Sequence, residues 1–161
     1  MSEPRDAVGL LTHEQCLSRL ASTTVGRIAV TSQALPVVVP VNYTLAGNRV
    51  VFRTKRAGML ARACDDAVVG FQVDNLASDG RSGWSVLVVG VAHLLQGSED
   101  LRALELNLVS AVDGYGEDQF VGIALGQVSG RLVRDDGDHK SRSSEGFGPF
   151  AADHGRSNLE S

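Results

Sequence analysis

Three apolar runs crowd the first third of the chain, "VGRIAVT" (25–31), "VVVPVNYTL" (37–45) and "VVFRT" (50–54), parted only by "ALP" and "AGNR" turns. Connections this short leave no room for the helical crossover that a parallel pair needs. Three more strand-like runs follow: "AVVGFQV" (67–73), "GWSVLVVGVAHLL" (83–95) and "FVGIALGQVSGRLV" (120–133). Six strands on short connections, without βαβ alternation, predict a mainly β fold, closed or partly closed into a barrel. Pro40 cannot donate to a ladder, so its strand is expected at an edge or a bulge. In the last run Val121, Ile123 and Leu125 alternate in odd phase but Val128 and Leu132 in even phase. That switch near Gly126 predicts a bulge or a sharp bend.

Helices are few and short. "LTHEQCLSRLAS" places Thr12 three residues before Gln15, a capping box, with Cys16, Leu17 and Leu20 on one face. A second helix is expected from about Lys55 to Asp65 with Thr54 as its N-cap. A third would start after Ser98, its stripe formed by Leu101, Leu104, Leu108 and Val112. The split is then a domain over 1–134 and a polar, Gly/Ser-rich tail over 135–161, where Phe147 and Phe150 are the only large apolar pair.

The balance of charge excludes some partners. The 161 residues carry a formal net charge of −4, which argues against nucleic acid or an anionic membrane as a bulk partner. The apolar run 86–95 is too short to span a bilayer. Two cysteines, Cys16 and Cys64, show no metal spacing and suit a reducing cytoplasm, where they read as small core residues. His13, His93, His139 and His154 are scattered, so no metal site is expected. Ser85 has no base nearby in sequence, and no catalytic constellation is apparent.

"FRTKRAG" (52–58) is the segment with chemistry. Thr54, Lys55 and Arg56 sit where a strand gives way to a helix, and cations beside free helix N–H groups make an anion site. The alternative is a solvated basic loop balanced by Asp65 and Asp66. Trp84, the only tryptophan, is likewise open to two readings: a core aromatic capping one end of the barrel, or a site residue.

In order and spacing, "GRIAV", "LPVVVPVNYTLAGNRVVFRT", "VVGFQVD", "RSGWSVLVVGVAHLL" and "VSGR" resemble the pyridoxamine 5′-phosphate oxidase-like family. The likeness is greatest to its actinobacterial type with a Gly-Trp-Ser-Val strand, and it covers roughly residues 10–133. The resemblance implies a Greek-key split β-barrel and a homodimer binding FMN at its interface, as an oxidoreductase of unknown small-molecule substrate. Related members bind the deazaflavin F420 or haem, or confer nitroimidazole resistance; the alternative for this chain is a dimeric split barrel that holds a flavin, F420 or haem without turnover, or has lost its cofactor. Carried over by residue, it sets Phe52 along the flavin edge and Arg53 and Thr54 toward the phosphate. Asn42 and Tyr43 would lie near the rings, and Trp84 and Ser85 would reach the cofactor or the interface wall. One departure stands out: Met59 occupies the place of a common family lysine, a loss that Lys55 or Arg56 could compensate.

Overall fold

The computed structural model describes residues 9–96 and 116–134. The helix expected after Ser98 and the tail from residue 135 lie outside them. The elements run α1 (His13–Ala21), β1 (Val25–Ser32), β2 (Leu35–Leu45), β3 (Arg49–Lys55), α2 (Met59–Ala63), β4 (Ala67–Leu76), β5 (Gly83–Leu95), β6 (Asp118–Ala124) and β7 (Gln127–Val133).

All pairings are antiparallel. The strand order is β4-β1-β2-β3-β6-β5-β7, and a further β4–β5 pairing closes the first six strands into a ring. The order 4-1-2-3 within that ring is a Greek key. The closed barrel and the scarcity of helix agree with the sequence reading.

Each strand divides by parity into an inner and an outer row, because side chains alternate across the sheet. Ile28 and Val30, Val41 and Tyr43, Val50 and Phe52, Val69, Phe71 and Val73, and Trp84, Val86 and Val88 form the inner rows. All are buried. Tyr43 donates its hydroxyl hydrogen to the Leu20 carbonyl at 2.6 Å and meets Phe71 edge-on, with ring centroids 4.8 Å apart. The phenol therefore ties α1 to the barrel while its ring fills the core.

Helix α1 closes one side of the ring with buried Cys16 and Leu20. Its capping box is complete: the Gln15 amide N–H donates to Thr12 Oγ1 at 3.2 Å, and the Thr12 N–H to Gln15 Oε1 at 2.9 Å. Among the described residues, 35–42 of β2 pair only with β1, so this stretch is an edge of the described sheet, in line with Pro40. The Tyr43 N–H donates to the Thr24 carbonyl, so odd residues of β2 face β1. Pro36 and Pro40 are even, and they remove outward donors from the exposed edge.

The last apolar run is two strands, not one. Among the described residues seven strands result instead of six, because β6 pairs with β5 at Ala92–Leu95 and β7 with β5 at Gly83–Val89. The phase switch at Leu125–Gly126 is where the chain leaves one end of β5 for the other. Gly90 makes this junction possible: a Cβ there would lie 1.9 Å from the Ala124 carbonyl oxygen.

Candidate functional site

A six-stranded ring is narrow, and Phe52, Phe71, Ile28, Val86 and Val88 are packed inside this one. The polar side chains that could meet a ligand stand on the outer rows and at the ends of strands.

The basic turn is on the outside, but its construction differs from expectation. Thr54 does not cap a helix. It is a buried inner residue of β3, 2 % exposed, because pairing with β6 extends the strand through Lys55. Helix α2 starts only at Met59, with Gly58 as N-cap and no side-chain capping bond. A helix of five residues contributes no N-terminal field worth counting on, so the anion chemistry of this turn rests on its cations.

Those cations converge on one carboxylate. Lys55 lies opposite Asp118 in the β3–β6 register, and its Nζ is 2.7 Å from Asp118 Oδ1. Arg53 Nη1 is 3.4 Å from Asp118 Oδ2. Arg53 Nε is buried and has no hydrogen-bond acceptor among the described residues. Arg56, largely exposed, pairs with Glu117 at 3.3 Å. The balancing acids are thus Asp118 and Glu117, not Asp65 and Asp66. Asp66 instead meets His93 Nδ1 at 2.6 Å. Asp118 stands where an incoming phosphate oxygen would stand, so Arg53 and Lys55 have the geometry to share one anion.

The other residues singled out by sequence are not all brought to this place. Asn42 is on the outer row of β2, across from Val25 and one step beyond the Tyr43–Phe52 pair, which sets it beside Arg53. The side chains of Tyr43 and Phe52 point into the barrel, so an outer ligand would meet only their backbone. Met59 packs its partly buried side chain against the core. Trp84 also faces inward, 6 % exposed, under the Arg19 guanidinium at 5.2 Å from the ring centroid. Its side chain caps the core. Ser85, one residue on, faces out.

Ser85 lines a groove of about 470 Å³ with Gln72, Leu87, Ser129, Gly130 and Arg131. Two registers build it: Gln72 pairs with Leu87 and Leu87 with Ser129, then Asp74 with Ser85 and Ser85 with Arg131. Sequence reasoning missed Gln72, Ser129 and Arg131 here. Their signal was the outward parity of polar residues in apolar strands, readable only once the register is known.

Arg53 and Ser85 lie on different strands of the ring. One way round, Arg53 reaches β5 through Phe120, which pairs with Leu95, ten residues from Ser85. The other way round, by Asn42, Val25 and Asp74, the two are about four strand spacings apart, on the order of 20 Å. Burial raises the pKa of both thiols, that of Cys64 to about 12, so neither is a ready nucleophile.

The chain is similar to an uncharacterised protein of Mycobacterium tuberculosis, 37% identical over 131 residues, spanning 78% of this chain and 86% of that one. Among solved structures it resembles the FAD binding protein from Mycobacterium smegmatis at 29% identity and a TM-score of 0.66, covering 80% of this chain and 99% of that chain. A conserved protein of unknown function from Corynebacterium diphtheriae is 30% identical with a TM-score of 0.61, covering 77% and 96%. The family model for pyridoxamine 5′-phosphate oxidase matches residues 12–132, nearly the whole barrel, and the chain belongs to that family.

Proposed function

We propose that the chain is a flavin-dependent oxidoreductase that works as a cytoplasmic homodimer and holds FMN, or the FMN unit of FAD, against its outer surface. The observation that carries this reading is the convergence of Arg53 and Lys55 on one anion position, now taken by Asp118. Those two side chains would bind the flavin phosphate, with Asn42 beside them. The FAD-binding relative at 29% identity supports a flavin and favours testing FAD alongside FMN. When bound, the isoalloxazine supplies the hydride or electron chemistry, while the protein orients it and sets its electrostatics.

One feature supports the dimer: Val25, Val38, Val68, Leu87 and Val91 are exposed apolar residues on the outer rows, and a stable dimer buries about 800 Å² per partner. Asp118 offsets one of the two positive charges, which favours the alternative of a non-catalytic barrel that binds its cofactor weakly or has lost it.

Apo protein titrated with FMN, FAD and riboflavin, followed by flavin fluorescence, tests the reading. FMN and FAD are expected to bind more tightly than riboflavin, to a species that sediments as a dimer. Equal binding of riboflavin, or none of the three at micromolar concentration, would overturn it.

A further inference from the structure

The Arg53–Lys55 site contains a group that a plain phosphate clamp does not need, the carboxylate of Asp118. The backbone fixes its place. Asp118 opens β6 opposite Lys55, and Phe120 follows opposite Arg53. Opposed residues of an antiparallel pair share a face, so both cations and the acid stand on one outer patch. Lys55 Nζ is 2.7 Å from one Asp118 oxygen and Arg53 Nη1 is 3.4 Å from the other. The three groups sum to one positive charge. Arg56, the next cation along, is matched by Glu117 at 3.3 Å and adds little. At 20%, 23% and 33% exposed, the side chains of Arg53, Lys55 and Asp118 are screened less than free surface groups.

We infer that Asp118 is a specificity residue: it makes this site select a phosphate with one negative charge, a diester or pyrophosphate, over a terminal monoester with two. The inference rests on the flavin reading for the identity of the ligand, FAD being the singly charged case and FMN the doubly charged one. An arriving phosphate competes with the Asp118 oxygens for the same donors. The carboxylate can turn aside, but its backbone is held opposite Lys55 and its stem is one methylene, so its charge stays beside the ligand. One negative charge on the ligand then brings the cluster to neutrality. A second exceeds the positive charge of the site and faces a like charge, which disfavours the more charged form.

Phosphate monoesters lose their second proton at about pH 6, so at neutral pH FMN presents the disfavoured dianion. Each phosphorus of a pyrophosphate diester carries one charge and has no proton to lose in that range. The two ligands therefore differ in charge state at the very group the cations hold. Arg53 Nε is buried without an acceptor among the described residues, which shields its hydrogen from solvent and makes it a reporter inside the site.

The test uses the full chain, labelled with ¹⁵N, and two pairs of probes. FMN and FAD are followed by flavin fluorescence, phenyl phosphate and methyl phenyl phosphate by the Arg53 Nε–H resonance. From about pH 5.5 to about pH 7.5 the singly charged fraction of a monoester falls about twentyfold. FMN and phenyl phosphate should weaken several-fold over that range, with twentyfold as the ceiling, while FAD and the diester stay level. Carboxylates such as Asp118 and Glu117 stay ionised in this window, Arg53, Lys55 and Arg56 stay charged, and any titration of His93 on β5 acts on both members of a pair. Asp118→Asn should reverse the slope, FMN tightening as pH rises and the dianion meets two cations, and Asp118→Glu should restore it. Loss of structure would weaken every probe and could not reverse a slope. Monoester binding that is level or tightens with pH in the wild-type protein, an unchanged slope in Asp118→Asn, or no binding by any probe would each overturn the inference. If neither flavin binds but the phenyl pair shows the slope, the flavin reading fails and the charge selection stands; flavins that bind without the slope give the opposite result.

Discussion

Gly90→Ala is the sharpest test of the junction that gives the barrel its seventh strand. The new methyl carbon would sit 1.9 Å from the Ala124 carbonyl oxygen and 3.0 Å from its carbonyl carbon. Ordinary contact begins near 3.4 Å, so β5 and the end of β6 would have to part by about 1.5 Å. No side chain can rotate away, because the obstructing atoms are backbone. Those atoms are fixed by the Ala92–Ile123 pairing and by the Gly126 N–H donating to the same Ala124 oxygen at 2.9 Å. Overpacking costs about 1–3 kcal/mol where neighbours can adjust, and a rigid site belongs at the upper end. Replacing a glycine recovers about 0.4–1 kcal/mol by restricting the unfolded chain. A net loss of about 2–3 kcal/mol is therefore expected. Gly70→Ala is the control, since its Cβ would meet only Ala29 Cβ at 3.6 Å and Leu87 Cδ1 at 4.0 Å. It should be neutral or slightly stabilising. Urea unfolding of the two variants, compared at equal slope, measures the difference. Equal midpoints would refute the close approach of β5 to the β6–β7 junction, and with it the account of the phase switch.

Other consequences are as direct. Asp118→Asn should free Arg53 and Lys55 for phosphate, tightening FMN several-fold, a gain kept modest by their partial exposure, with riboflavin unaffected; parallel fluorescence titrations check it, and an equal change for both ligands would sink it. The β1–β2 hairpin turns through Gln33 (φ 51°) and Ala34 (φ 63°), two left-handed residues without glycine, so Gln33→Asn with Ala34→Gly should stabilise by about 1 kcal/mol. An unchanged or lower urea midpoint would contradict that. The Cys64 thiol, raised from 9.0 to about 12 by burial, keeps its proton in the folded state after the unfolded chain has lost it. Its stabilisation is thus complete below pH 9.0 and lost as pH climbs toward 12, so Cys64→Ala should flatten the fall of the urea midpoint across that window.

How much of this was legible in sequence depended on how local the cause was. The capping box of α1 needs only Thr12 and Gln15, three residues apart, and it is where sequence put it. Strand existence was equally plain from alternation in β1 and from the Pro40 edge signal in β2. The β3–α2 boundary was not, because Thr54 has the right chemistry for an N-cap, and only β6, more than sixty residues on, draws it into a strand. Asp118 was invisible as a partner of Arg53 and Lys55 for the same reason. β5 shows the limit most clearly: from Val86 to Ala92 it is apolar or glycine at every position, so alternation cannot tell which parity faces in. Its pairing with β4, where Phe71 and Val73 oppose Val88 and Val86, settles that Trp84 is inside and Ser85 outside.

The same all-apolar stretch bears on why chemistry sits where it does. A strand buried on one face only has no need of Leu87 and Val91 on the other, nor β4 of Val68, and exposing them costs about 25 cal/mol for each Å² of apolar surface left in water. Polar residues at those positions would fold the barrel as well. Retaining apolar ones makes sense if the outer rows meet a second surface, as the proposed dimer requires. The two clusters of uncommon chemistry, Arg53–Lys55–Asp118 and the Ser85–Arg131 groove, flank opposite ends of β5, where such a surface would have its rim. Rim positions stay wet enough to exchange a ligand, yet a facing copy excludes enough water to strengthen each charged hydrogen bond. In the proposed dimer, a barrel too narrow to hold a cofactor inside would gain a cleft by pairing, with the charged residues at the edges of that cleft rather than in the core.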